Sequence, residues 1–185
     1  MGAVSNKSVN WRTVLLVIVL FVAFLLLCFG IVIYGNTLIK WWLPVIPAAI
    51  LAAGTIPVFA MRWKSLTESD SIILNGACHL FAVFSLVYAL FLGSNYYMAD
   101  DSTIVVEQTE VVKKYSKEHT RYRRVGRNRR IPDGHYYTYH ILLRFPDGRE
   151  KPQEVQLKAY NRIRTGSYRD IKVEKGLWGV PVIKH

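Results

Sequence analysis

The sequence predicts a membrane α-helical domain of three transmembrane helices followed by a small all-β C-terminal domain, and three observations predict it. Charge is divided unevenly: residues 1–93 carry five Lys/Arg and two Asp/Glu, whereas residues 94–185 carry nineteen and eleven. The nearly uncharged half contains three apolar runs of 21 or 22 residues each. Beyond residue 100 the hydrophobic residues alternate with polar ones instead of recurring every three or four positions. One soluble core spanning all 185 residues does not fit this split, and with 51% hydrophobic residues neither does disorder.

The first run, 13–34, has no charged residue and as a helix is roughly 33 Å long, enough for a bilayer core. The second, 41–61, is bounded by Lys40 and Arg62, and the third, 71–92, by Asp70 and Gly93-Ser94. Helices of soluble proteins normally keep a charged face, which these runs lack. The first run is too long for a signal-peptide core and has no small-x-small cleavage site, so it is expected to stay. Asn6 stands where a myristoylation signal needs Ser or Thr. Basic flanks resist translocation: Lys7, Arg12, Arg62 and Lys64 fall on one side of a three-span arrangement, Lys40 and Lys113 on the other. Residues 1–12 are therefore expected in the cytoplasm and the C-terminal domain outside it, in a multi-pass inner-membrane protein. Trp11 and Trp63 mark the inner boundary, and Tyr34, Trp41, Trp42, Tyr96 and Tyr97 the outer one.

Within the spans, Pro44, Pro47, Gly54 and Pro57 stand among Ala48, Ala49, Ala52 and Ala53, the composition of a bent helix that packs closely against its neighbours. Asn75, Cys78 and His79 share one helical face of the third run, and His79 is the one ionisable side chain inside any run. An intramembrane ionisable group is a functional candidate by default. An interhelical hydrogen bond is its simpler role, and a transport pathway through the proline-bent helix its sharper one. Cys28 and Cys78 differ in depth by roughly 13 Å, too far for a disulfide.

After a linker at 94–102, the β-domain is expected to occupy 103–185. Its clearest strand places His135, Tyr137, Tyr139, Ile141, Leu143 and Phe145 on one face. Pro146-Asp147-Gly148 then turns the chain into a strand at 150–158, since proline presets one turn position and glycine relieves another. The valine-rich segment 103–115 reads as a first strand, with a bulge between Val106 and Val111. A helical turn at 159–165 and strands at 168–174 and 177–183 complete five strands, expected to close as an antiparallel barrel or sandwich around Trp178.

The order His140-Ile141-x-x-Arg144-Phe145-x-Asp147-Gly148, then Tyr160-x-x-Ile163-x-x-Gly166, then Val173-x-x-Gly176, resembles the small β-domain of a broad family of uncharacterised bacterial membrane proteins. In that family a five-stranded module is attached to transmembrane helices. The resemblance implies the architecture and no activity, and this chain departs from the pattern by placing all its helices before the module.

Residues 113–130 hold nine Lys/Arg against the single Glu118, and the remainder of the second half is charge-balanced. Such an arm must be solvated or neutralised by a partner. Arg121, Arg123, Arg124, Arg127, Arg129 and Arg130 are its candidate contact residues. Anionic lipid head groups are the first expected partner and an acidic protein the second, while nucleic acid fits only an inverted topology. No phosphate-binding glycine loop, paired cysteine motif, His-Glu-x-x-His or nucleophile elbow occurs, and Asp133 and Asp147 both sit in Pro-Asp-Gly turns. His135 and His140 fall on opposite strand faces. No enzyme activity, metal or cofactor is expected. The expected function is display of the β-domain for binding or envelope assembly. The alternatives are an immunity protein that neutralises a toxin near the membrane, and a transporter or channel accessory subunit using the bent helix and His79.

Overall fold

The computed structural model describes residues 10–127 and 129–184. The rest of the expected cytoplasmic segment, Lys7 with it, lies outside the described residues. Four helices precede a sheet: α1 (Trp11–Gly35), α2 (Trp42–Gly54), α3 (Ile56–Thr67) and α4 (Ile72–Tyr97). Then come β1 (Asp100–Arg124), β2 (Arg130–Arg144), β3 (Glu150–Val155), a short α5 (Leu157–Arg162), β4 (Tyr168–Lys175) and β5 (Pro181–Ile183). The chain forms two compact units, residues 1–103 with 174–182, and residues 104–173 with 183–185. The stretch read as a linker holds the end of α4 and the start of β1.

In the first unit, α1 and α4 are each long and apolar enough to cross a membrane. The middle run is not one helix. It breaks at Thr55 into α2 and α3, bent by 70°, so two helices can span, or three if the bent pair counts as one. Thr55 stands just ahead of Pro57, whose ring removes a backbone donor, and its own hydroxyl turns back to the Leu51 carbonyl at 2.8 Å. Pro44 and Pro47 fall inside α2 without ending it.

Close approach holds these helices together, because lipid supplies no hydrophobic drive between them. A Cβ on Gly30 of α1 would come within 2.6 Å of the Tyr88 ring of α4, so glycine is what lets the two backbones meet there. Ile33, Ala48, Tyr88 and Leu92 form the buried centre. At one end Asn10 caps α1, and its amide donates to Glu68 at 2.8 Å while Arg12 pairs with Glu68 at 3.6 Å. Glu68 itself ends α3 in the left-handed conformation, φ 52°.

The segment 174–182 folds with the helices. The Asn95 side-chain amide, fully buried, donates to the Val180 carbonyl and accepts from the Trp178 N–H, both at 3.0 Å. The Trp178 indole N–H donates to Ser94 Oγ at 2.9 Å, and its ring stacks on Phe91. Trp178 is therefore not the core anchor expected of it: it is 58% exposed. The last strand is also shorter than 177–183, because residues 176–180 are consumed by a turn closed by Gly176 N–H to Val180 O at 3.0 Å.

The sheet is antiparallel, with order β3-β2-β1-β4-β5, and it does not close into a barrel or pair into a sandwich. Closure would bring β3 against β5. The outer edge of β5 is already taken, since the Leu38 N–H donates to the Pro181 carbonyl at 2.9 Å and Thr37 bridges Val182. In the second unit Val111, Ile141, Leu143, Phe145, Ile171 and Val173 are buried, in agreement with the alternation of β2. The bulge of β1 falls between Val111 and Lys113, slightly beyond its expected place.

Lys151 of the edge strand β3 pairs with Leu143. Burial, with the neighbouring Arg149 charge, lowers its ammonium to about 8 from 10.5. Below pH 8 it is protonated in the folded and unfolded chain alike and its burial is unfavourable. Between about 8 and 10.5 the folded chain releases the proton first, so stability rises with pH. Lys151→Met is expected to raise stability at neutral pH by about 1–2 kcal/mol, allowing for partial solvent screening. It should also flatten that alkaline rise, as read by thermal unfolding across the same pH range.

Candidate functional site

The basic arm of the second unit is a paired β-ribbon. β1 and β2 continue past the rest of the sheet, paired from Lys117 opposite Thr138 to Arg124 opposite Arg130 with one shift of register between. A two-stranded ribbon is marginal by itself, and cross-strand side chains stabilise this one. Tyr115 stacks on His140 with ring centroids 5.2 Å apart, and His119 on Tyr136 at 5.0 Å. The Thr138 hydroxyl lies 3.0 Å from Nε2 of both His119 and His140. A hydroxyl has one proton to give, so one of these rings must itself donate. Across the ribbon Glu118 meets His135 Nδ1 at 2.9 Å, on the face opposite His140.

Pro132-Asp133-Gly134 is not a turn. It lies within β2, where Asp133 and Gly134 together stand opposite Arg121, and Gly134 takes φ +84°. This second bulge shifts the register between Thr120 and Tyr122. The reversal comes later, where Val125 N–H donates to Arg129 O at 2.8 Å and Gly126 has φ +83°. Asn128 lies outside the described residues.

Arg121, Arg123 and Arg124 thus sit on β1, Arg127 and Arg129 in the loop, and Arg130 on β2, all exposed. Among the described residues none of the six forms an ion pair, and residues 119–132 contain no Asp or Glu. Arg124 and Arg130 are directly opposed, an arrangement that like charges oppose. The Arg124 guanidinium turns to the loop instead, donating to the Arg127 carbonyl at 2.6 Å and the Gly126 carbonyl at 3.2 Å. The result is a stiff finger with concentrated, uncompensated guanidinium charge, suited to bidentate binding of carboxylates or phosphates.

The first unit brings together the other sequence candidates at the helix break. Asn75 and His79 are both buried on α4. The Trp63 indole N–H donates to His79 Nδ1 at 2.8 Å. Indole is only a donor, so Nδ1 carries no proton and the ring is the Nε2–H tautomer. That proton faces Thr55 Oγ1 at 2.9 Å and the Ala52 carbonyl at 3.1 Å, both at the α2–α3 break. Asn75 accepts from the Thr67 hydroxyl at 2.5 Å and donates to the Ser69 carbonyl at 2.9 Å. A cavity of about 270 Å³ opens beside this cluster, lined by Ile56, Ala60, Met61, Trp63 and Gly76, with the Lys64–Asp70 ion pair also on its wall. Trp63, read from the sequence as a boundary anchor, and Thr55 are the partners that the sequence left unassigned. The Gly54-Thr55-Ile56-Pro57 string was the available signal. Cys28 and Cys78 are both free thiols. Against this geometry, comparison with family models, with curated proteins and with solved structures finds no match.

Proposed function

We propose that the chain is a multi-pass inner-membrane protein that carries a small β-unit outside the cytoplasm, where the arginine-rich ribbon binds an anionic partner in envelope assembly. The observation that carries the binding role is the set of six exposed arginines, none in an ion pair among the described residues, held on a paired ribbon that costs little further ordering when a partner arrives. The link from Arg12 and Asn10 to Glu68 supports a third pass: the α3–α4 turn lies beside the start of α1, so the bent pair leads back to that end. The balance of Lys7, Arg12, Arg62 and Lys64 against Lys40 and Lys113 in the sequence supports the orientation. The likeness of residues 140–176 to a β-module of bacterial membrane proteins agrees with this architecture.

The intramembrane cluster favours cohesion over transport. Both nitrogens of His79 are engaged, by Trp63 and by Thr55 at the helix break, and the Asn75 amide joins Thr67 to the Ser69 carbonyl, so the polar atoms of the cluster tie α2, α3 and α4 together.

The test uses the full protein in zwitterionic nanodiscs and poly-L-glutamate as an anionic probe. Simultaneous Gln replacement of Arg121, Arg123, Arg124, Arg127, Arg129 and Arg130 is expected to weaken capture about a hundredfold at low salt, at roughly half a kcal/mol per residue. Thermal unfolding should be unchanged. Equal capture by both proteins would remove the ribbon from the binding role.

A further inference from the structure

Along the ribbon, uncompensated charge coincides with open backbone. β4 accompanies β1 only as far as Val111, whose N–H and C=O are taken by Ser167 and Gly166. β3 accompanies β2 only from Arg144 to Tyr139. Beyond these points no third strand flanks the ribbon among the described residues. Its two edges differ. On β2 the edge is broken by Pro132, which has no N–H, and by the bulge at Asp133-Gly134. The edge of β1 runs from Lys113 to Arg124 with no proline and carries Lys113, Lys114, Lys117, Arg121, Arg123 and Arg124 against Glu118 alone.

An open edge of this length is a template for an added strand, and natural proteins guard such edges with charge. Here the guard is of one sign. It repels a second copy of the same ribbon and leaves an acidic strand unopposed. Strand alternation places Lys117, Arg121 and Arg123 on one face; on the other, beside Glu118, the Lys114 ammonium is held by the Ile163 carbonyl at 2.6 Å and Arg124 by the loop carbonyls. A flat anionic bilayer would meet one of these faces. A strand lying along the edge sets every second side chain beside the face of Lys117, Arg121 and Arg123, while its own N–H and C=O groups pair with the outward groups of β1, which lipid phosphates can match only as acceptors.

We propose that the β1 edge from Lys113 to Arg124 binds an extended acidic polypeptide segment as an added β-strand, in line with the start of β4. The proposal rests on the ribbon being the contact surface and names the class of its partner. At about 3.3 Å per residue the twelve-residue edge is roughly 40 Å long, and a ten-residue strand covers most of it.

The experiment measures binding to the full protein in zwitterionic nanodiscs of a ten-residue peptide of alternating Glu and Val. The second probe is the same peptide N-methylated at alternate backbone nitrogens, which keeps every charge and removes strand pairing. Expected are a tenfold or greater loss of affinity on N-methylation and new amide-exchange protection in 113–124 with the unmodified peptide. Equal affinity of the two peptides would overturn strand addition and leave the arginine surface standing. Preference for phosphatidylglycerol vesicles or a single-stranded oligonucleotide, with no peptide binding, would overturn it in favour of those partners. If no anionic probe distinguishes the wild type from the six-glutamine variant, the binding role falls together with the proposal.

Discussion

Gly176→Ala is expected to destabilise the first unit by about 3 kcal/mol. The new Cβ would stand within 2.5 Å of Asn95 Cγ. Asn95 cannot give way cheaply, because it is fully buried and its amide holds Val180 O and Trp178 N. Moving it leaves those two backbone groups and the amide itself unsatisfied, and keeping it overpacks the contact. Thermal unfolding in detergent should show the loss, and amide exchange should quicken first in residues 174–182. The mechanism has a signature in a double-mutant cycle: with Asn95→Ala already present, the added methyl finds space and its own cost should fall below about 1 kcal/mol. A cost that stays the same in both backgrounds would mean that the side chain of Asn95 is not what Gly176 accommodates.

The second large effect is expected from His79→Leu, at about 2–3 kcal/mol. Leucine approximates the volume of the ring but withdraws the acceptor of Trp63 Nε1–H and the donor aimed at Thr55 and Ala52 O. Hydrogen bonds between helices in lipid average well under 1 kcal/mol apiece, so the larger share comes from stranding a buried indole N–H. His79→Gln, which retains a donor and an acceptor, should recover part of the loss. Trp63→Phe introduced beside His79→Leu should recover part as well, since no donor is then left without an acceptor. If His79→Leu leaves unfolding unchanged and instead abolishes a solute flux in proteoliposomes, the imidazole serves transport and not cohesion.

Several elements were legible because their signals are short-range. An uncharged run of 22 residues defines α1 within a few positions, since any charge in lipid is costly. The alternation from His135 to Phe145 located β2 and put Ile141, Leu143 and Phe145, all three buried, on one face, because period two is a property of the strand itself. The prolines announced a bend, yet not its size, which depends on where Thr55 and Ala52 find partners. Trp178 was misread for a related reason: large aromatic residues are usually buried, and its position is set by contacts with Ser94, Asn95 and Phe91, more than 80 residues earlier.

By itself the sequence determined that this chain combines membrane-length apolar helices with a β-structured, strongly basic second half, and that the charge is concentrated in residues 113–130. Only the tertiary structure decided that the middle run breaks into two helices, that residues 174–182 join the helical unit, that the sheet stays open, and that the basic arm is a paired ribbon. The physical reason lies in range. Hydrophobic period and charge density are read over a few consecutive residues, whereas these four outcomes depend on which backbone donors and acceptors meet, and for Asn95 and Val180 that meeting joins positions 85 apart.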